Sequence, residues 1–206
     1  MTARAIYILA ILLLPSLAFA AATGLVLIPT ADVLPPLSID IGIASQYTDN
    51  SLQTAFESQI GLAKGLEAGY DIGWVNAPQP AGFNVKKVLL WRDDDAVLSL
   101  GLQNIGHNLT IQPYAVGRVP TYKGWFHAGI ISIDSQVQPM LGYGRNLADD
   151  LELEADFIGG SENEGSIGLV YNRNNLYITA AYLRLNSGPN RNGVYLSANW
   201  IFNLQN

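Results

Sequence analysis

The chain has 206 residues, a formal net charge of -6 at pH 7 and no cysteine. Without cysteine there is no disulfide staple, thiolate metal site or thiol-borne lipid anchor, and an acidic balance argues against nucleic acid as a partner. Hydrophobic residues make up 49% and charged residues 14%, against roughly 25% charge in soluble domains; yet past residue 22 no apolar run nears the roughly 20 residues a transmembrane helix needs.

Met1-Thr2-Ala3-Arg4 supplies a positive charge, Ala5 to Leu14 is apolar, and Pro15-Ser16 precedes Ala18-Phe19-Ala20. A basic start, a short apolar stretch and an A-x-A site read as a cleaved export signal over residues 1–20, with Ala22 as a second cleavage point. Residues 21–36 form a lead-in, and 37–206 a single β-barrel domain.

In Leu66 to Trp74 the even positions are apolar and the odd ones are Glu, Gly or Asp. A period of two puts these sets on opposite faces of a strand, whereas a helix would smear both around its cylinder. Leu151 to Phe157 repeats the pattern with three carboxylates on one face. Less pure segments run Ser38 to Ala44, Gln53 to Leu62, Phe83 to Trp91, Ala96 to Gln103, Thr110 to Val119, Trp125 to Ile133, Gln136 to Gly144, Ser166 to Tyr171, Leu176 to Leu183 and Val194 to Phe202. About twelve strands near membrane-spanning length predict an all-β, transmembrane, antiparallel up-and-down barrel, with 10 to 14 strands as the range. Lys86-Lys87 charges both faces of its strand, which a bulge near the rim would absorb. Pro113 and Pro139 each remove a ladder donor and belong at bulges or strand ends.

With both termini periplasmic, short turns are expected at 64–65, 93–95, 121–124, 146–150 and 174–175. Longer outer connections are expected at 47–51, 76–82, 160–165 and 186–192, with tight exceptions at 106–108 and Asp134. Trp74, Trp91, Trp125, Tyr143, Tyr171 and Trp200 suit interfacial girdles. The alternation Val194, Leu196, Ala198, Trp200, Phe202 resembles the C-terminal signal read by the outer-membrane barrel-assembly machinery, here followed by Asn203-Leu204-Gln205-Asn206.

The polar phase carries Asp40, Glu57, Glu67, Asp71, Lys86, Arg118, His127, Glu152, Glu154 and Asp156, the lumen-facing candidates. The apolar phase carries Leu66, Tyr70, Ile72, Trp74, Leu98, Leu100, Leu153, Phe157, Leu196, Trp200 and Phe202, the lipid-facing candidates. Two interiors are compatible with this: a cation-leaning, water-filled pore, or a lumen filled by paired side chains. Glu152 and Glu154 merely share a strand face. His107 and His127 lack metal-ligand spacing, so no metal and no cofactor are expected, and no catalytic residue is assigned. The expected partners are outer-membrane lipid, the assembly machinery during biogenesis, and a small solute or polysaccharide. The alternatives are an outer-membrane lipid-modifying hydrolase using His127 with Ser132 or Ser99, and a soluble periplasmic β-sandwich binding module.

Thr23-Gly24-Leu25-Val26-Leu27-Ile28-Pro29-Thr30-Ala31-Asp32-Val33-Leu34-Pro35-Pro36 resembles the opening segment of the YjbH-like outer-membrane β-barrel proteins. The resemblance covers these fourteen residues and is shared with small uncharacterised bacterial barrels. It implies an outer-membrane barrel without catalytic residues and a link to exopolysaccharide export. Its three prolines forbid a regular central strand; the segment should pair briefly or tuck against the lumen, as a latch in preference to a plug.

Overall fold

A computed structural model describes residues 24–48, 51–75, 81–92, 96–106, 109–161, 163–186 and 192–204. The expected export signal over residues 1–20, and its cleavage region to 22, lie outside them. Twelve antiparallel strands close into one barrel in sequence order: β1 Ser38–Thr48, β2 Ser51–Ala63, β3 Leu66–Val75, β4 Gly82–Arg92, β5 Ala96–Ile105, β6 Gln112–Thr121, β7 Gly124–Ile133, β8 Gln136–Ala148, β9 Leu151–Ile158, β10 Glu164–Arg173, β11 Leu176–Leu185 and β12 Asn192–Asn203. Closure comes from β1 on β12, in register from Ser38↔Asn203 to Thr48↔Gly193. Every strand has a neighbour on both sides, so no strand is left as an open edge, and the two-sheet sandwich is excluded. No described helix is long and apolar enough to cross a membrane.

The alternation read in the sequence becomes the two faces of the wall. In β3, Glu67, Gly69, Asp71 and Gly73 are buried, while Leu66, Tyr70 and Ile72 are partly exposed and Trp74 is 73% exposed. Tyr70 packs on Phe83 of β4 with ring centroids 4.5 Å apart, and Trp200 stacks on Phe202 at 6.0 Å. Leu98, Leu100, Phe157 and Leu196 are likewise exposed on the outer surface, and Leu153 is half-buried there.

Strand irregularities sit where the sequence is irregular. The β4–β5 ladder shifts register between Val88 and Leu90, beyond Lys86-Lys87; the two lysines themselves follow plain alternation, Lys86 buried and Lys87 exposed, so the bulge does not absorb the outer charge. Pro113 is the second residue of β6. Pro139 lies one residue beyond the last β8–β9 pair, Met140↔Ile158, where its missing N–H costs no ladder bond.

Connections at 64–65, 122–123, 149–150 and 174–175 close the end of the barrel that holds Ser38 and Asn203; 93–95 lies outside the described residues. Asn174 and Asn175 both have positive φ (51° and 67°), as a type I′ hairpin turn requires. At the other end more residues separate the strands, Val75 from Gly82, Ile105 from Gln112, Ile158 from Glu164 and Leu185 from Asn192; 76–80, 107–108, 162 and 187–191 lie outside the described residues. Two expectations are corrected there. The 47–51 connection is short, because β1 continues to Thr48 and pairs it with Ser51. The connection after Ile105 is long, because β6 begins only at Gln112. At Asp134 the turn is tight as expected, with Asp134 and Ser135 both at positive φ.

Trp125 also departs from its expected place in an outer girdle. It shares parity with the buried His127 and Ile131, so its indole turns to the inner side of the wall, under the Arg118 guanidinium 4.2 Å from its ring centroid. Its neighbour Phe126 takes the outer face. The described side chains do not include that of Trp91.

Candidate functional site in the barrel lumen

Residues 24–37 lie inside the barrel. Leu37 has a φ of 60° and is tied to both sides of the barrel seam: its N–H donates to Gly61 O at 2.8 Å, and its carbonyl accepts from Leu204 N at 2.9 Å. From this point the chain folds back into the lumen, which the prolines allow because the segment makes no ladder of its own. It ends in a tight reversal, with Leu25 N donating to Ile28 O at 3.0 Å and a bridge between Gly24 and Pro29.

Wall side chains satisfy the backbone of this segment in place of a partner strand, as a buried backbone requires. Glu67 Oε2 accepts from Leu34 N at 2.9 Å. Lys86 Nζ donates to Thr30 O at 3.1 Å, and Ser99 Oγ donates to Ala31 O at 2.5 Å. Asp156 Oδ2 accepts from Leu27 N at 2.6 Å and from Ile28 N at 3.2 Å, and its other oxygen accepts from Ser166. Two ion pairs complete the attachment: Lys86 to Glu67 at 3.0 Å, both side chains 0% exposed, and Arg118 to Asp32 at 2.7 Å.

Between these polar anchors the segment is greasy. Ile28 and Ala31 form a buried cluster with Val97, Tyr114, Val116, Ile131 and Met140 of β5 to β8. Gly101 leaves the room in which the Tyr114 side chain lies. Val26 packs with Ala181 and Leu183 on β11. Burying an Ile or Leu side chain is worth about 1.5 to 3 kcal/mol, so the segment is held by packing as well as by its polar contacts.

A cavity of about 580 Å³ lies between the segment and the opposite wall. It is lined by Asp32, Asp40, Glu57, Glu152 and Glu154, with Gln, Ser, Thr, Asn and Tyr side chains between them; among the described residues no Lys, Arg or His lines it.

The ten lumen candidates therefore separate. Glu67, Asp71, Lys86, His127 and Asp156 are buried and absent from the cavity lining, and Arg118 is half-buried against Asp32. Asp71 accepts from Ser58 N at 3.2 Å. Asp40, Glu57, Glu152 and Glu154 border the open space. The residues imagined as a hydrolase pair do not meet: Ser132 lies on the phase opposite His127, Ser99 donates its hydroxyl to Ala31, and His127 Nδ1 has no hydrogen-bond partner among the described residues. No cluster of three or more His, Asp or Glu suited to a metal occurs among the described residues.

Sequence reasoning passed over Asp32, Tyr177, Tyr195, Ser197 and Asn199, which line the cavity. The last three were within reach, since they are the polar phase of β12. Asp32 gave no signal, because its segment has no period.

No family model matches the chain, and no curated protein does. Its fold is similar to solved porin structures. The KdgM porin matches at 12% identity and a TM-score of 0.62, over 79% of this chain and 99% of that one. The NanC porin matches at 12% and 0.62, over 78% and 98%. The KdgM porin in complex with disordered oligogalacturonate matches at 14% and 0.59, over 80% and 99%. At these identities the likeness establishes the twelve-stranded porin-type barrel fold.

Proposed function

We propose that this chain is an outer-membrane channel of narrow bore that passes small neutral or positively charged solutes and performs no covalent chemistry. Three things support the membrane: a closed barrel, an outer surface of Leu, Ile, Phe and Trp side chains, and short turns at one end with longer connections at the other. This is the construction of an outer-membrane barrel, and the neighbours in fold space are porins. In that orientation the short-turn end and Ser38 face the periplasm.

The observation that carries the solute class is the carboxylate-only charge of the cavity lining. A water-filled space walled by one sign of charge concentrates ions of the other sign. One neighbour was solved with oligogalacturonate, an oligomer of uronic acids; Asp40, Glu57, Glu152 and Glu154 around a narrow passage oppose such a polyanion. The shared fold therefore does not carry the shared solute.

Reconstitution into a planar bilayer tests the reading. Stepwise conductance with a reversal potential of cation-selective sign in a KCl gradient is expected. A folded protein that leaves the bilayer silent, or one that selects anions, would overturn it.

A further inference from the structure

The cations that the strand alternation turns inward, among the described residues, are Lys86 on β4 and Arg118 on β6. Residues 24–37 reach both: Lys86 holds Thr30 O beside Glu67, and Arg118 holds Asp32. The segment also lies over the inward His127, since a Cβ at Gly142 would meet Leu25, Ile28 and His127 together. On the other side, Asp40 of β1, Glu57 of β2, and Glu152 and Glu154 of β9 stay open to the cavity. The segment thus covers both inward cations, together with Glu67 and Asp156, and leaves four carboxylates facing the remaining space.

We propose that residues 24–37 are a resident constriction that sets the bore of the channel, by filling the side of the lumen that carries Lys86, Glu67, Arg118 and Asp156 and leaving the side with Asp40, Glu57, Glu152 and Glu154 as the solute path. The proposal rests on the channel reading above. Its basis is the kind of anchor present. A mobile gate needs a second arrangement of similar free energy; this segment instead buries Ile28, Ala31 and Leu34 and satisfies five of its backbone groups with wall side chains on β3, β4, β5 and β9. Undocking would strip the burial and expose a dry ion pair at once. The device is a built-in narrowing.

Two measurements on the reconstituted protein test it. The first compares the full chain with a variant lacking residues 24–36. Removal should raise single-channel conductance by about twofold or more, since conductance follows the open cross-section. The shortened channel should remain cation-selective, because Glu67 and Asp156 become uncovered together with Lys86 and Arg118. The second keeps every residue in place and uses the cysteine-free background. Ala31→Cys sits between segment and wall, where Ala31 is 0% exposed, whereas Thr179→Cys borders the cavity. A cationic methanethiosulfonate reagent should label Thr179→Cys at least tenfold faster, both in the folded protein by mass and as a drop in current. Equal labelling at the two positions overturns the constriction, as does an unchanged conductance in the shortened chain when the full chain conducts. A silent full chain sinks the channel reading and the constriction with it, a result distinguishable from the other two.

Discussion

Lys86 and Glu67 offer the sharpest energetic test, because both side chains are 0% exposed and the ammonium lies 3.0 Å from the carboxylate. At that separation and an effective dielectric of about 20, the attraction is about 5 kcal/mol, which desolvation of the two charges largely offsets. Replacing Lys86 with Met keeps most of the volume but removes the cation facing Glu67 and the donor to Thr30 O. A buried carboxylate deprived of its counter-charge costs about 3 to 5 kcal/mol, or two to four powers of ten in the folding equilibrium. Adding Glu67→Gln removes the charge that was left behind, while the amide oxygen can still accept from Leu34 N. The double variant should therefore recover most of the loss and lie within about 1 to 2 kcal/mol of the parent. Urea titration of the protein in detergent micelles or vesicles, followed by tryptophan fluorescence and by heat-modified gel mobility, measures both. Equal losses in the single and double variants would refute the reasoning, since the cost would then come from packing and not from a stranded charge.

Ile28→Ala should cost about 2 to 5 kcal/mol in the same titration, because Ile28 is fully enclosed by the β5–β8 cluster; a loss under 1 kcal/mol would mean that the segment is not seated there. Asp156→Asn weakens the acceptor of Leu27 N and Ile28 N and should destabilise by about 1 to 3 kcal/mol, read by the same unfolding midpoint. Leu100→Arg, in the middle of β5 on the outer surface, should cost about 2 to 4 kcal/mol in lipid vesicles, and the same substitution at Tyr122, in the exposed 122–123 turn, should cost almost nothing; equal effects would deny the membrane its place around the barrel. Glu57→Gln combined with Glu154→Gln removes two of the carboxylates on the cavity and should move the reversal potential in a KCl gradient toward zero without loss of the channel.

How much of this was legible beforehand depends on the range of the forces involved. A two-residue period is a local property of the chain, and burial on only one face forces it on each strand separately. All twelve strands could therefore be placed, and Glu67 and Asp71 assigned to the face opposite Trp74, without knowing which strand lay beside which. Turn chemistry is local too, and Asn174-Asn175 announced its hairpin. The 47–51 connection was misjudged because Tyr47-Thr48 looks as much like a loop as like a strand end, and only its pairing across to Leu52 and Ser51 decides. Trp125 was misplaced because aromatic character alone does not say inward or outward; its parity with His127 does.

By itself the sequence determined the strands to within about two in number, and their two faces; it favoured a closed barrel, since alternation leaves an apolar surface that only a membrane or a second sheet can cover, and charge is scarce for the second. The tertiary structure alone decided the fate of residues 24–37. Proline forbids them a ladder and they carry no period, so their path is set by bonds such as Leu27 to Asp156, 129 residues apart in the chain, which no local pattern encodes. Through that path the tertiary structure also decided which inward charges are spent holding the segment and which still face water. The reason is that residues on a strand face acquire a role in the lumen only when the ring closes and something else is, or is not, packed against them.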